Sequence, residues 1–181
     1  MPRKALPSIR LKKAKATHAN QLARWMHSTR LRRTMPALAS REFRRPATWR
    51  AILKSEQADH LFIIYGARKA VGISILYSVD RKKRTAFGGL GIFGSRAHHR
   101  GFGLAAKLQQ LNYAFNTLKL KTIYSKISKT GSKIENGLNH IGYKDASLAQ
   151  HKRFKVTRGK HKLLALRRAS WIAFQKRRVD L

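Results

Sequence analysis

Acidic residues are what this sequence has least of. Asp and Glu number 7 against 41 Lys and Arg in 181 residues, a formal charge of +34. No acid occurs before Glu42. Cysteine is absent altogether, which excludes disulfides and thiolate metal sites and leaves the redox compartment open. No apolar run approaches the roughly 20 residues that a membrane-spanning helix needs. A chain this far from neutrality repels itself, and its compact state is weakened unless counter-charge lies at hand. Nucleic-acid phosphate is the commonest such counter-charge, since duplex DNA carries about one negative charge per 1.7 Å of axis. The charge therefore points to a polyanionic partner and says nothing about the fold.

What is present suffices for a core. Apolar residues make up 43% of the chain, near the globular average. The runs Leu61-Phe62-Ile63-Ile64-Tyr65 and Val71-Gly72-Ile73-Ser74-Ile75-Leu76-Tyr77 exclude a disordered basic tail. Residues 1–16 read as a basic arm that orders only on a partner, and the acid-free start also suits a mitochondrial presequence. Residues 17–150 read as the folded domain, and 151–181 as a basic C-terminal strand and tail. Thr17 is placed to cap a helix through Leu22, Trp25 and Met26. Thr48 is placed to cap one bearing Trp49, Ile52 and Leu53.

Strands are predicted at Leu61–Gly66, Val71–Val79 and Thr85–Phe93, separated by turns at 67–70 and 80–84. Leu104, Leu108, Leu111, Phe115 and Leu118 recur at helical spacing. Thr122–Ser128 alternates as a strand, 132–141 reads as a short helix ended by Gly142, and a last apolar element spans Leu163–Trp171. Antiparallel strands followed by a strand–helix–strand crossover give an α/β fold, with a mixed, mostly antiparallel sheet flanked by helices.

Between the third strand and the long helix lies Arg96-Ala97-His98-His99-Arg100-Gly101-Phe102-Gly103. This stretch resembles motif A of the GNAT superfamily of acetyl-CoA-dependent N-acetyltransferases. There Gln or Arg, two variable residues, Gly, one variable residue and Gly or Ala grip the pyrophosphate of coenzyme A. The matching positions are His98, His99, Arg100, Gly101, Phe102 and Gly103. Glycines let the backbone approach, and amides at a helix N-terminus attract the anion. His140-Ile141-Gly142-Tyr143 is similar to the Lys-Leu-Gly-Phe ending of the family's next helix. The resemblance spans about residues 17–145 and implies a GNAT-like sheet with acetyl-CoA or coenzyme A as cofactor. The alternative is that Gly101 and Gly103 serve only the strand-to-helix turn.

The catalytic pattern departs from the family. The positions where many relatives carry Asn, Ser and Tyr fall near Gly131, Ile134 and Leu138. The strand Thr85–Phe93 lacks the Glu that many relatives use as a base. His98 and His99 remain, read either as proton acceptors or as phosphate-facing loop residues. Glu56 and Asp59 precede the first strand and approach the site only if the helix before them folds over it. No metal site is expected, because no carboxylate or thiol lies at suitable spacing from the two histidines.

Basic residues cluster in four places. The arm holds Arg3, Lys4, Lys12 and Lys13, and a second run holds Arg32 and Arg33. A turn holds Arg81, Lys82, Lys83 and Arg84. The C-terminal part holds Lys152, Arg153, Arg167, Arg168, Arg177 and Arg178. Trp25, Trp49, Phe154 and Trp171 are interleaved, as base-stacking platforms or as core. No zinc-finger, RNP or KH pattern is present, so binding would follow shape and phosphate.

Two leading functions follow, beside a third option, a DNA-bound or phage-type basic protein. The first is a GNAT-fold structural component of a mitochondrial ribosome, its eroded acetyltransferase site idle, with ribosomal RNA and neighbouring ribosomal proteins as partners and no membrane. The second is an active acetyl-CoA-dependent N-acetyltransferase acting on a protein N-terminus or a small amine.

Overall fold

The computed structural model describes residues 6–28, 35, 38, 40–55, 60–93, 101–128, 132–156 and 161–179. Its strands are β1 (Ile9–Lys13), β2 (Leu61–Gly66), β3 (Lys69–Asp80), β4 (Thr85–Ile92), β5 (Thr122–Ser128), β6 (Lys144–Asp145) and β7 (His161–Arg167). They form a seven-stranded sheet in the order β1-β2-β3-β4-β5-β7-β6. The β4–β5 pair is parallel, while β1–β2, β2–β3, β5–β7 and β6–β7 are antiparallel. The helices are α1 (Ala19–Trp25), α2 (Pro46–Lys54), α3 (Phe102–Asn112), α4 (Ser132–Ile141), α5 (Leu148–Arg153) and α6 (Arg168–Val179). The chain divides into two compact units, residues 1–77 with 89–110 and residues 78–88 with 111–181.

In the first unit, the segment read as an arm is, from Ile9 on, an edge strand. β1 pairs with β2 from Ile9 opposite Gly66 to Lys13 opposite Phe62. Ile9 is buried while Arg10, Lys12 and Lys13 are exposed, so the alternation that defines a half-buried strand is present beneath the charge. Lysines on an outer strand also discourage further strand addition.

α1 begins at Ala19 with His18 at its N-cap, and α2 begins at Pro46. Neither Thr17 nor Thr48 is a cap. Proline wins the first position of α2 because its missing amide is one the helix leaves unpaired anyway. The core gathers Leu22, Met26, Trp49, Leu61, Ile63 and Ile73. The β2–β3 turn is tighter than the sequence suggests: only Ala67 and Arg68 form it, with φ of 48° and 64°. Two residues at positive φ match the twist of a two-residue hairpin.

In the second unit, β5 is central. It runs parallel to β4, with Thr85 opposite Thr122, and antiparallel to β7, with Thr122 opposite Arg167 and Ser128 opposite His161. The apolar stretch expected at Leu163–Trp171 is two elements, β7 to Arg167 and α6 from Arg168. After α3 the chain makes a π-helical turn over Tyr113–Thr117. This turn brings Phe115 to stack on Trp171 at 6.1 Å. α5 is fixed by a reciprocal cap. Gln150 N–H donates to Ser147 Oγ at 3.3 Å, and Ser147 N–H donates to Gln150 Oε1 at 2.8 Å. α4 ends where expected, at Gly142 with φ +111°.

Candidate active site at the start of the motif helix

Gly101 caps α3. Its carbonyl accepts the Ala105 N–H at 2.9 Å, closing the first turn, and its φ is +80°. A Cβ there would lie 3.1 Å from Pro7 Cδ and 3.3 Å from Leu6 Cδ2. The conformation calls for glycine at 101, and the space for a side chain is tight. The backbone N–H groups just ahead of Ala105 have no helical carbonyl to meet, and the first turn carries no acid. Among the described residues no acid compensates the partial positive charge at this helix end.

Gly103 is different. Among the described residues, a Cβ added there would meet only Ile92 Cγ1, at 3.8 Å, which is ordinary contact. The fold accommodates alanine at this position, and glycine in a helix is worse than alanine by roughly 0.5–1 kcal/mol. The turn alone thus accounts for Gly101 and leaves Gly103 unexplained. A ligand phosphate brought close to the backbone does explain it. The residues present fit the pyrophosphate of coenzyme A.

Phe102 has another task. A Cβ on Gly66 would sit 2.1 Å from Phe102 Cε1, so the ring lies directly on β2 and pins the helix start. Its backbone, not its side chain, is what a ligand would meet. His98, His99 and Arg100 lie outside the described residues, as do Glu56, Asp59 and Gly131. Of the eroded positions, Leu138 is buried and Ile134 is exposed, and neither offers a polar group. β4 carries no acid.

A polar pair within α3 escaped the sequence reading. Lys107 is only 6% exposed, and Gln110 beside it 1%. Lys107 Nζ donates to Gln110 Oε1 at 2.9 Å. Gln110 Nε2 in turn serves Ser74 Oγ at 2.8 Å, Ile75 O at 3.0 Å and Gly89 O at 2.9 Å. Burial pulls the Lys107 ammonium down to about 7, because a charge removed from water is disfavoured. The signal was available: Leu104, Lys107, Leu108 and Leu111 share one helix face, so a lysine interrupts the apolar stripe. The pair braces α3 against β3 and β4.

The basic candidates that the structure describes are surface groups. Lys12, Lys13, Arg81, Lys82, Lys83, Lys152, Arg153, Arg167 and Arg177 are exposed, and Arg84 and Arg168 are half-buried. Arg3, Lys4, Arg32, Arg33 and the Arg178 side chain lie outside the described residues. The aromatic platforms are core. Trp49 is buried and donates its indole N–H to Phe43 O at 2.7 Å. Trp171 is buried too. Trp25 stacks on Phe93 at 4.2 Å, and Phe154 meets Phe87 edge-on at 4.9 Å. Their faces are taken by protein partners, not left for bases. Among the described residues no group of three His, Asp or Glu could hold a metal ion, and no helix is long and apolar enough to cross a membrane.

Residues 8–144 match the acetyltransferase (GNAT) domain model. No curated protein matches the sequence. Solved structures share the fold. A spermidine N-acetyltransferase from Vibrio cholerae, in complex with CoA and spermine, superposes with a TM-score of 0.74 at 12% identity, over 91% of this chain and 98% of that one. The ribosomal-protein-S5-alanine acetyltransferase of Vibrio fischeri gives 0.68 at 16%, over 93% and 97%. RimJ of Mycobacterium smegmatis, in complex with CoA-disulfide, gives 0.66 at 18%, over 89% and 82%. These findings correct the reading of the chain as a structural ribosomal component. Of these proteins two are named as acetyltransferases, and two hold coenzyme A or its disulfide. The error lay in letting net charge decide a role, when it speaks only to partners. With three-quarters of the sequence under the domain model and a glycine-capped motif helix in place, the chain belongs to the GNAT acetyltransferase family.

Proposed function

We propose that the protein is an N-acetyltransferase that takes its acetyl group from acetyl-CoA and passes it to an amine of low positive charge, such as a protein N-terminus. Gly103 carries the reading, as a glycine that none of the described neighbours requires, set in the first turn of a helix whose leading amides suit an anion. The bound donor supplies an acyl thioester activated for attack. Gly101, Gly103 and the amides of the first turn of α3 would hold its pyrophosphate. Phe102 on Gly66 and Lys107 with Gln110 would keep that helix end in place.

The acceptor must arrive as a neutral amine. Nearby like charges disfavour an ammonium and lower its pKa. The field of a chain with 41 basic and 7 acidic residues therefore favours the nucleophilic form of an approaching amine. This helps where β4 offers no carboxylate base, and positioning supplies much of the remaining rate. The same field repels a polycation. Few described carboxylates could hold one: Asp80 faces Arg153, Glu135 pairs with Lys162, Glu42 accepts from Ser40, and Asp145 alone is both exposed and without a side-chain bond among the described residues. A polyamine, the acceptor in the name of the V. cholerae enzyme, is thus disfavoured here.

The test is acetyl-CoA turnover on N-terminal peptides and on spermine, with Gly103→Ala beside the native chain. We expect peptide turnover to exceed spermine turnover at equal concentration. Gly103→Ala should raise the KM for acetyl-CoA tenfold or more while leaving the fold as stable or up to about 1 kcal/mol more so. An unchanged KM, or no turnover of any amine by the native chain, overturns the proposal.

A further inference from the structure

The second unit gathers cations at one end of its strands, from segments far apart in sequence. The turn after β3 supplies Arg81, Lys82 and Lys83, all exposed. Arg84 follows, and its carbonyl accepts the Lys121 N–H at 2.7 Å and the Thr122 N–H at 3.3 Å. Its guanidinium donates to the Lys119 carbonyl through Nε at 2.7 Å and through Nη2. The Lys121 carbonyl accepts the Arg168 N–H at 2.9 Å, and Arg167 stands opposite Thr122 across the β5–β7 pair. Main-chain bonds therefore fix the turn, the entry to β5 and the β7–α6 junction side by side. Arg84 and Lys119 adopt φ of 55° and 54°, a conformation uncommon for such residues, so the chain accepts unfavourable backbone to make this junction.

Among the described residues this end is almost without acid. Asp80 is the only carboxylate of the turn, and it is engaged. It accepts the Lys83 N–H at 2.8 Å and faces Arg153 at 3.9 Å. Glu135, paired with Lys162, belongs to the opposite end of β7. The bonds of Arg84 to a carbonyl occupy two of its five N–H groups and leave its charge uncancelled. Neighbouring strands stand about 4.8 Å apart, inside the Debye length of about 8 Å at physiological salt. These charges therefore repel one another in the free protein, and an extended anion relieves all of them together.

We infer that this end of the second unit, formed by the 80–84 turn, the entry to β5 and the β7–α6 junction, is a docking surface for the phosphodiester backbone of a nucleic acid. The cations are spread over a turn, the entry to β5 and the β7–α6 junction, which suits a row of phosphates better than one small anion. A membrane surface fits less well. Insertion uses exposed apolar side chains among the basic ones, and the exposed large ones among the described residues, Ile134, Leu148 and Ile172, lie outside the turn and the strand ends. With no base-reading motif, binding is by phosphate and independent of sequence. The surface acts whether or not the chain transfers acetyl groups.

Fluorescence anisotropy of the full chain with labelled mixed-sequence RNA and DNA duplexes, across a salt series, tests this. The variant replaces Arg81, Lys82, Lys83 and Arg167 by Gln. A control with equal charge loss replaces Arg24, Arg50, Lys54 and Lys69, exposed groups of the first unit, by Gln. At about 0.7–0.9 in slope per phosphate contact, the first variant should flatten log affinity against log salt by roughly 3. The control should change the slope by less than about 1. Equal flattening in both, no binding of either duplex by the native chain, or tighter capture by phosphatidylserine vesicles than by the duplexes would overturn the inference. Should the fourfold variant fail to fold by circular dichroism, Lys82→Glu decides alone, with a severalfold loss expected and an unchanged affinity counting against it.

Discussion

The two units of this chain handle positive charge in opposite ways. The first hides a lysine: Lys107 lies in the interior with a neutral amide as acceptor, and burial brings its ammonium down to about 7. The second keeps its lysines at the surface and gives one of them a carboxylate. Lys162 Nζ meets Glu135 Oε1 at 2.7 Å, and that hydrogen bond raises the ammonium above its ordinary value. A chain with 7 acids for 41 bases cannot pair each cation. Where a carboxylate is missing, the alternatives are to release the proton, as the interior does, or to keep the charge in water beside an external anion, as the sheet end does.

The interior arrangement is the more fragile, and Gln110 is where it breaks most easily. Gln110→Ala removes one acceptor and two N–H donors shared among three acceptors and leaves buried partners unserved, each at about 1–3 kcal/mol. A loss of roughly 4 kcal/mol is expected in urea unfolding, the largest effect of any substitution considered. Lys107→Met has the opposite sign. It deletes a buried ionisable group while filling the same volume, at the expense of the bond to Gln110. A net gain of about 2 kcal/mol at pH 7 is expected.

The pH profile separates packing from charge. Below about 7 both the native and the unfolded chain hold the Lys107 proton, so this group contributes no slope. Between about 7 and the ordinary lysine value of 10.5 the unfolded chain holds a proton the native one has released. Stability must then rise with pH across that window. Lys107→Met should abolish the rise. A native chain whose stability is flat from pH 7 to 9, after correction for other groups by the variant, would show Lys107 charged and the comparison mistaken.

What could be read from the sequence divides along the same line. The strands and the helix at 132–141 announced themselves because alternation and helical spacing persist in β2, β5 and α4 whatever the charge. β1 did not: Ile9 and Leu11 are two apolar residues among basic ones, and the charge masked a strand whose pairing with β2 is non-local. The caps at Thr17 and Thr48 failed where a better local solution existed, Pro46 for α2. Gly101 and Gly103 were legible as a pair, but only the space around each tells that one serves the turn and the other is free for a ligand. The bond from Lys107 to Gln110 lies within three residues, yet its burial is set by β3 and β4, whose approach no local pattern encodes. The cation cluster at the sheet end was visible as separate runs, and Lys119 and Lys121 were overlooked because only the strand register brings them beside Arg84 and Arg167.

The second unit's surface arrangements should yield smaller effects. Ser147→Ala removes the side chain that caps α5 and should cost about 1 kcal/mol, with the Gln150 contact to Tyr124 Oη at 2.9 Å limiting the fraying. Glu135→Gln is the smallest. An exposed pair gains little because water and salt screen it, so the shift at neutral pH should fall below that of Ser147→Ala. Its sign with pH is the informative part. Lys162 has a raised native value, so its contribution is present below the ordinary lysine range and is lost as pH climbs through the raised one. Stability that rises through Lys107 should therefore turn over at more alkaline pH through Lys162, and Glu135→Gln should erase only the turnover. If Glu135→Gln instead erased the rise, the proton released in the interior would belong to the surface pair, and the two units would not differ in how they hold charge.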